Sequence, residues 1–396
     1  MTRSPRSWLW PWRPEVSTVT EATDRPLRIC VLWTRLSGYL SASLHALVAE
    51  GAELLVVHEA AAADAPFDDA ALTAGFASDL WRDAPDERRL ARLLEDFDPH
   101  AIVVNSWHVG AYRRAARRWR GRTLRIVTVH NQWTATPKQL AARLAAPLLL
   151  APTYDAAFVC DERQAVFAER LGFRAERMLW GVNTCDRPLF ARVADERGDV
   201  APDPAFLFVG RLVDDKAVDV LARSYAAYRA SERDPWPLLV AGVGPRADLL
   251  EPLDGVEMLG FVQPADLPAV VARAGCLVLP SRLEPWAVVV HEAVSAGLSV
   301  ICSRACGAST RLVLDGYNGV VVTPGDESGL ARALSRISRS SDDEQRAMSA
   351  ASRSLSLQFS PQRWARLLLS RVPALREEIG VVGDETRAAG THRVVG

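Results

Sequence analysis

The sequence predicts an α/β protein made of two doubly wound parallel-sheet domains that face each other across a central cleft. Three observations carry this. At 396 residues the chain exceeds what a single hydrophobic core serves. Short aliphatic runs alternate with longer amphipathic ones, the pattern of parallel strands joined by helical crossovers. A polar, proline-containing stretch at 187–204 breaks that alternation, which then restarts on a similar scale.

The first unit, 27–186, opens with the strand candidate Leu27–Leu32, a loop over Thr34–Gly38 and a helix through Ala49. Glu53–His58, Ala101–Asn105, Leu124–His130 and Ala156–Cys160 supply further strands, and helical stretches lie between them at Glu87–Asp96, Gly110–Trp119 and Glu162–Leu171. The stretch 187–204 is the expected linker. The second unit, 205–350, repeats the pattern with strands at Phe206–Val209, Leu238–Ala241, Val256–Leu259, Leu277–Leu279, Val300–Cys302 and Val320–Val322. Within 351–379, Ser360-Pro361 opens a helix with proline at its tolerated first position, and this helix is a candidate to cross back to the first domain. Residues 1–26 and 380–396 are expected to be loose extensions. The tryptophan-rich Ser7–Trp12 is too short and too proline-broken for a signal peptide. No run of 18 or more apolar residues exists, so no spanning helix is expected.

Composition narrows the function classes. A hydrophobic share of 49% and a charged share of 24% describe an ordinary globular protein, and a net charge of -1 gives no argument for nucleic acid. Seven histidines and six cysteines fall in no metal-binding spacing, so no metal is expected. The scattered cysteines read as small core residues of a reducing compartment, which places the chain in the cytoplasm.

Two segments carry chemistry. In Glu284-Pro285-Trp286-Ala287 through Glu292, one carboxylate sits in a loop after a buried-type strand and the other lies inside a helix-like apolar run that stops at Gly297. A carboxylate on so apolar a helix needs a partner, either an arginine or the hydroxyls of a ligand. In Phe206–Leu221 a strand ends at Gly210, and Arg211 and Lys216 follow in one loop ahead of a helix N-terminus. A forked guanidinium and a point-charge ammonium suit the two charges of a diphosphate, although Asp214 and Asp215 are close enough in sequence to neutralise them.

The order Gly-Arg-Leu-x-x-x-Lys-x-x-Asp-x-Leu, then Glu-x7-Glu, resembles the nucleotide-sugar half of GT-B glycosyltransferases, and among these the retaining enzymes of glycosyltransferase family 4. Supporting segments are Ala241–Pro245, Leu259–Val262, Val278–Ser281, Ala296–Ile301, Asp315–Gly319 and Pro324–Asp326; the likeness is strong over 205–326 and weaker in the first half. The resemblance implies two Rossmann-like domains and a nucleoside-diphosphate-sugar donor with no further cofactor. It implies that Arg211 and Lys216 hold the diphosphate, Glu292 the ribose hydroxyls and Glu284 hydroxyls of the transferred sugar. Backbone around Gly210, Gly244, Trp286 and Ala287 would meet the donor, Val262 the base, and Gly38 the phosphates from the opposite domain. His130 matches a histidine lining the cleft beside the transferred sugar. Ala217 and Ala287 stand where the family usually has glycine.

The sequence therefore predicts transfer of a sugar to a glycan, lipid-linked or small-molecule acceptor with retention of configuration. A nucleotide-sugar epimerase or hydrolase and a catalytically silent nucleotide-sugar-binding protein are the alternatives. The dense run Arg113, Arg114, Arg117, Arg118, Arg120, Arg122 and Arg125 reads either as a solvated face or as a peripheral contact with an anionic membrane on the inner face, with Tyr112 and Trp119 as interfacial seats.

Overall fold

The computed structural model describes residues 26–62, 66–81, 86–105 and 107–381, so the two extensions expected at the ends of the sequence lie almost wholly outside the described residues. The first half runs β1 (Arg28–Arg35), α1 (Gly38–Ala49), β2 (Glu53–Glu59), α2 (Asp69–Thr73), β3 (Ala77–Trp81), α3 (Glu87–Phe97), β4 (Ala101–Val104), α4 (Gly110–Arg118), β5 (Leu124–Val129), α5 (Pro137–Leu149), β6 (Ala156–Val159), α6 (Glu162–Arg170), β7 (Met178–Trp180) and α7 (Arg187–Arg197). The second half runs β8 (Phe206–Val209), α8 (Val218–Ser231), β9 (Leu238–Ala241), β10 (Val256–Gly260), α9 (Leu267–Ala272), β11 (Cys276–Leu279), α10 (Val288–Ser295), β12 (Ser299–Ser303), β13 (Gly319–Val322), α11 (Glu327–Ser338), α12 (Asp342–Ser356) and α13 (Pro361–Glu378).

Seven strands form one sheet in the order β3-β2-β1-β4-β5-β6-β7, and six form the other in the order β10-β9-β8-β11-β12-β13. All pairs of these strands are parallel. Strands such as β4 (Ala-Ile-Val-Val) and β11 (Cys-Leu-Val-Leu) are buried along their whole length, as expected for sheets covered by helices on both faces. In each sheet the winding direction reverses at the first strand, between β1 and β4 and between β8 and β11. That reversal opens a crevice at the carboxyl ends of the strands.

Departures from the sequence reading have local causes. The stretch 187–204 holds an 11-residue helix, α7. Asp186 caps it by accepting from the Leu189 amide, and Pro188 sits where a helix tolerates proline, so it starts the helix instead of breaking the chain. Strand β3 is a sheet edge of sequence Ala-Ser-Asp-Leu-Trp, too polar for an aliphatic-run criterion. Helix α13 packs on α1: Arg366 Nε donates to Glu50 at 2.9 Å, and Trp364 stacks on Phe158 with ring centroids 5.8 Å apart.

The basic run on and after α4 is not one exposed face. Arg125 is buried, with its guanidinium forked onto Asp155 at 2.9 and 2.6 Å. Arg114 is paired with Glu87, and Arg122 holds Glu95 through two hydrogen bonds of 2.9 Å, so α3 supplies their counter-charges. Tyr112 and Trp119 are fully buried and pack inward, which excludes them as interfacial seats. Their helix turns its aromatic stripe to the sheet, and the alternation of Arg with Tyr and Trp in sequence conceals this.

Candidate functional site

Four chain segments meet in the crevice. The loop after β1 brings Gly38 as the first residue of α1, the loop after β8 brings Gly210 and Arg211, the segment after β10 brings Val262, and α10 brings Glu292. These five predicted residues line one cavity of about 760 Å³ between the two sheets. Tyr39 and Asp186, which sequence reasoning missed, line it too. Gly38 allows the closest approach of the halves, since a Cβ there would lie 2.6 Å from the Pro264 side chain. No acidic residue occupies the first turn of α1, so its N-terminal amides present positive potential to the cavity.

Glu292 is half-buried in this wall, and its carboxylate has no hydrogen bond or ion pair among the described residues. Burial, with the nearby Asp186 charge adding to it, pushes its carboxyl up from 4.5 to about 7. A carboxylate in that condition is waiting for hydrogen-bond donors.

Lys216 and Glu284 are brought together beside the cavity and form an ion pair with each other. The Lys216 stem passes Gly210, with Cε 3.7 Å from where a Cβ would stand, which ties this pair to the cavity wall. Asp214 takes Arg246 at 2.7 Å instead of neutralising Lys216. Arg282 and Leu283 donate their amides to the Asp215 carbonyl at 2.8 and 3.2 Å, which stitches the two loops together. The Arg282 guanidinium forks onto Asp219 at 2.6 and 2.8 Å and holds that carboxyl well below the usual range. Asp219 belongs to the quoted motif, and its positioning role becomes visible only when Arg282 is seen across from it.

Trp286 and Ala287 lie outside the cavity lining, at the N-terminus of α10. Among the described residues neither backbone N–H donates a hydrogen bond, so both remain available. Gly244 also stands off the lining; a Cβ there would lie 2.4 Å from the Leu212 carbonyl oxygen, so backbone packing already requires glycine.

The two alanines that replace family glycines do not lie in an ordinary backbone region. Ala217 has φ 55° and Ala287 φ 73°, both left-handed. An L-residue there costs roughly 1–2 kcal/mol. A change to glycine relieves that strain, but it removes a buried methyl worth about 0.8 kcal/mol and adds chain entropy of about 0.5–1 kcal/mol to the unfolded state. The terms nearly cancel. Ala287→Gly is therefore expected to leave stability within ~1 kcal/mol of the parent, while Ala287→Val, branched at a positive φ, lowers it by ~2 kcal/mol or more. Urea unfolding midpoints measure both; equal midpoints for Val and Gly would show that the position is not strained.

His130 follows β5 in the first domain, edge-on to Trp33 at 5.7 Å and 4.0 Å from the Cys160 sulfur. Burial lowers its pKa to about 4, opposed by the neighbouring Asn183, so the imidazole is neutral at pH 7. Its Nε2 is enclosed without a hydrogen-bond partner among the described residues. His291, by contrast, is fully engaged: Nδ1 accepts from the Cys185 amide at 3.0 Å and Nε2 lies 3.2 Å from the Ser356 carbonyl.

The halves grip each other on both sides of the crevice. On one side Gln263 donates to the Pro66 carbonyl at 3.0 Å, and Phe67 meets Phe261 edge-on. On the other, Gln164 donates to the Pro285 carbonyl at 2.6 Å, and Asp161 holds Thr310 and Arg311 at 2.5 and 3.1 Å. The Pro285–Ala287 turn is thus pinned to the domain that carries His130.

The crevice thus lies between two doubly wound domains, one wall from each. A profile of the glycosyl transferases group 1 family matches residues 203–340, and one of the glycosyl transferase 4-like domain matches 36–180. The chain belongs to this glycosyltransferase family. An exopolysaccharide phosphotransferase of Streptomyces coelicolor is 30% identical over 223 residues, covering 54% of this chain and 22% of that protein. The alpha-D-kanosaminyltransferase of Streptomyces kanamyceticus is 29% identical over 149 residues, covering 36% of this chain and 38% of that protein. The chain's matches span between 22% and 38% of the lengths of these two relatives. In fold, HepE of Anabaena, solved in complex with UDP, superposes with a TM-score of 0.68 at 18% identity, covering 88% of this chain and 100% of that one. The architecture is GT-B, with two Rossmann-like domains.

Proposed function

We propose that the protein is a retaining glycosyltransferase that moves a sugar from a nucleoside-diphosphate donor to a glycan, lipid-linked or small-molecule acceptor. The observation that carries this is the convergence of Arg211, the α1 N-terminus at Gly38 and the unpartnered Glu292 on one cavity, with Lys216 and Glu284 beside it. Glu292 accepts from the ribose hydroxyls, and Val262 flanks the base. Donor binding exchanges the Lys216–Glu284 pair: the ammonium passes to the diphosphate and the carboxylate to hydroxyls of the transferred sugar. As the glycosidic bond breaks, negative charge grows on the leaving diphosphate, where Arg211 and Lys216 stabilise it most. The departing phosphate oxygen takes the proton of the acceptor hydroxyl, which attacks from the same face. Neutral His130 offers a hydrogen bond to the sugar and supplies no proton. The amides of Trp286 and Ala287 hold the sugar from below.

Support for a nucleotide-sugar donor comes from fold neighbours solved with UDP and with UDP-glucose. The test is a thermal-shift panel of UDP-, GDP- and ADP-sugars. One donor at a hundredfold over its Kd is expected to stabilise the protein by about 2.7 kcal/mol, and the others by much less. No shift with any member would overturn the reading.

A second reading, a catalytically silent nucleotide-sugar-binding protein, draws on the two left-handed alanines and the closed Lys216–Glu284 pair. Tight donor binding with neither transfer nor hydrolysis would select it.

A further inference from the structure

Helix α5 is built inside out. Of its residues only Ala146 is buried, and Ala142 packs partly against the core beneath. Leu144 is 82% exposed, Leu148 76% and Leu140 45%. Four-residue spacing sets these three leucines in one stripe. An ordinary surface helix turns its leucines inward and its small or charged residues outward; this one turns alanines inward and leucines outward.

The charge around the stripe is one-sided. At 100° per residue, Lys138 and Arg143 fall on opposite flanks of the leucines, and both are exposed. From Pro99 to Tyr154 the sequence contains nine Lys and Arg residues and no Asp or Glu. Helix α4, the preceding crossover, packs into the same core as the end of α5, and the charge of its Arg113 reaches Tyr154 just beyond α5. Arg117 and Arg120, on and just after α4, are exposed. Arg114 and Arg122 lean the other way, onto the acids of α3.

We propose that α5 is a docking face for an anionic phospholipid bilayer. Leu140, Leu144 and Leu148 enter the boundary between headgroups and acyl chains, while Lys138, Arg143, Arg117 and Arg120 reach the phosphates. A second copy of the chain is a poor occupant, because pairing two such faces sets cations against cations with no carboxylate between them. Among the described residues no helix is long and apolar enough to cross a membrane, so the contact is peripheral. The docked helix starts beside the crevice: Gln139 Nε2 donates to the Gln132 carbonyl at 2.7 Å, two residues beyond His130. The inference stands apart from the transfer reading, since bilayer binding needs no donor.

The test is sedimentation of the full chain with vesicles of phosphatidylglycerol and phosphatidylcholine, and with phosphatidylcholine alone. The chain is expected to sediment with the anionic vesicles. L144E/L148E lowers the bound fraction about tenfold or more, with an unchanged Tm because both side chains already face water. K138E/R143E weakens the preference for anionic over neutral vesicles, since Arg117 and Arg120 remain. Absence of binding by the parent chain, binding unchanged in L144E/L148E, or binding indifferent to phosphatidylglycerol would each overturn the proposal. So would a concentration-dependent dimer that L144E/L148E dissolves, which would assign the face to a second copy.

Discussion

Arg211→Ala and Lys216→Ala are each expected to lower sugar transfer by about 10²–10³-fold, the usual loss when a preorganised donor to a developing charge is removed. The two variants part company on stability. Arg211 is an exposed side chain on the cavity rim, so its removal is expected to cost less stability than breaking a buried ion pair. Lys216→Ala leaves Glu284, 7% exposed, without its cation, which costs on the order of 3 kcal/mol. Lys216→Ala/Glu284→Ala recovers that stability and none of the turnover. kcat/KM and urea midpoints on the four proteins separate the effects, and undiminished turnover in Arg211→Ala would remove it from the donor site.

Glu292→Gln is expected to stabilise the ligand-free protein while weakening it as a donor binder. The Glu292 carboxyl holds its proton up to about 7 in the folded chain against 4.5 ordinarily. The sign follows from proton binding: the folded state binds the proton more tightly, so its contribution is full below pH 4.5 and is lost as pH rises through about 7. The interval corresponds to roughly 3 kcal/mol at most, less whatever screening solvent in the crevice provides. Glutamine carries no charge to desolvate. Above pH 7 the variant should therefore gain up to ~2–3 kcal/mol over the parent and show a flatter stability profile. Its donor affinity should fall about tenfold, because an amide offers the ribose hydroxyls one acceptor oxygen in place of a charged pair. Parallel Tm profiles of parent and variant between pH 4 and 9 would show that Glu292 does not titrate in this range.

Most strands of both sheets were legible because a strand buried on two faces needs an unbroken apolar run, and Phe206–Val209 or Leu238–Ala241 can hardly be read otherwise, whereas β3 and the three-residue β7 were not. The order of Arg211, Lys216, Glu284 and Glu292 was equally plain. What escaped the sequence is whatever depends on who stands opposite whom. Lys216 and Glu284 lie 68 positions apart, and nothing local says that they pair. Ala217 and Ala287 look benign as residue types, and only the turns around them impose a positive φ. The outward leucines of α5 have the same spacing as inward ones, so periodicity alone gives the stripe and not its direction.

The seating of α13 on α1 also orders events in time. Glu50 and Arg366 meet across 316 positions, and Trp364 covers Phe158 of the first sheet. The first domain is therefore discontinuous in the chain, and it cannot bury that face until its last helix has been synthesised. A nascent chain leaving the ribosome carries a half-covered N-terminal sheet through the making of the entire second domain. Its folding is gated by the closure of one very long loop.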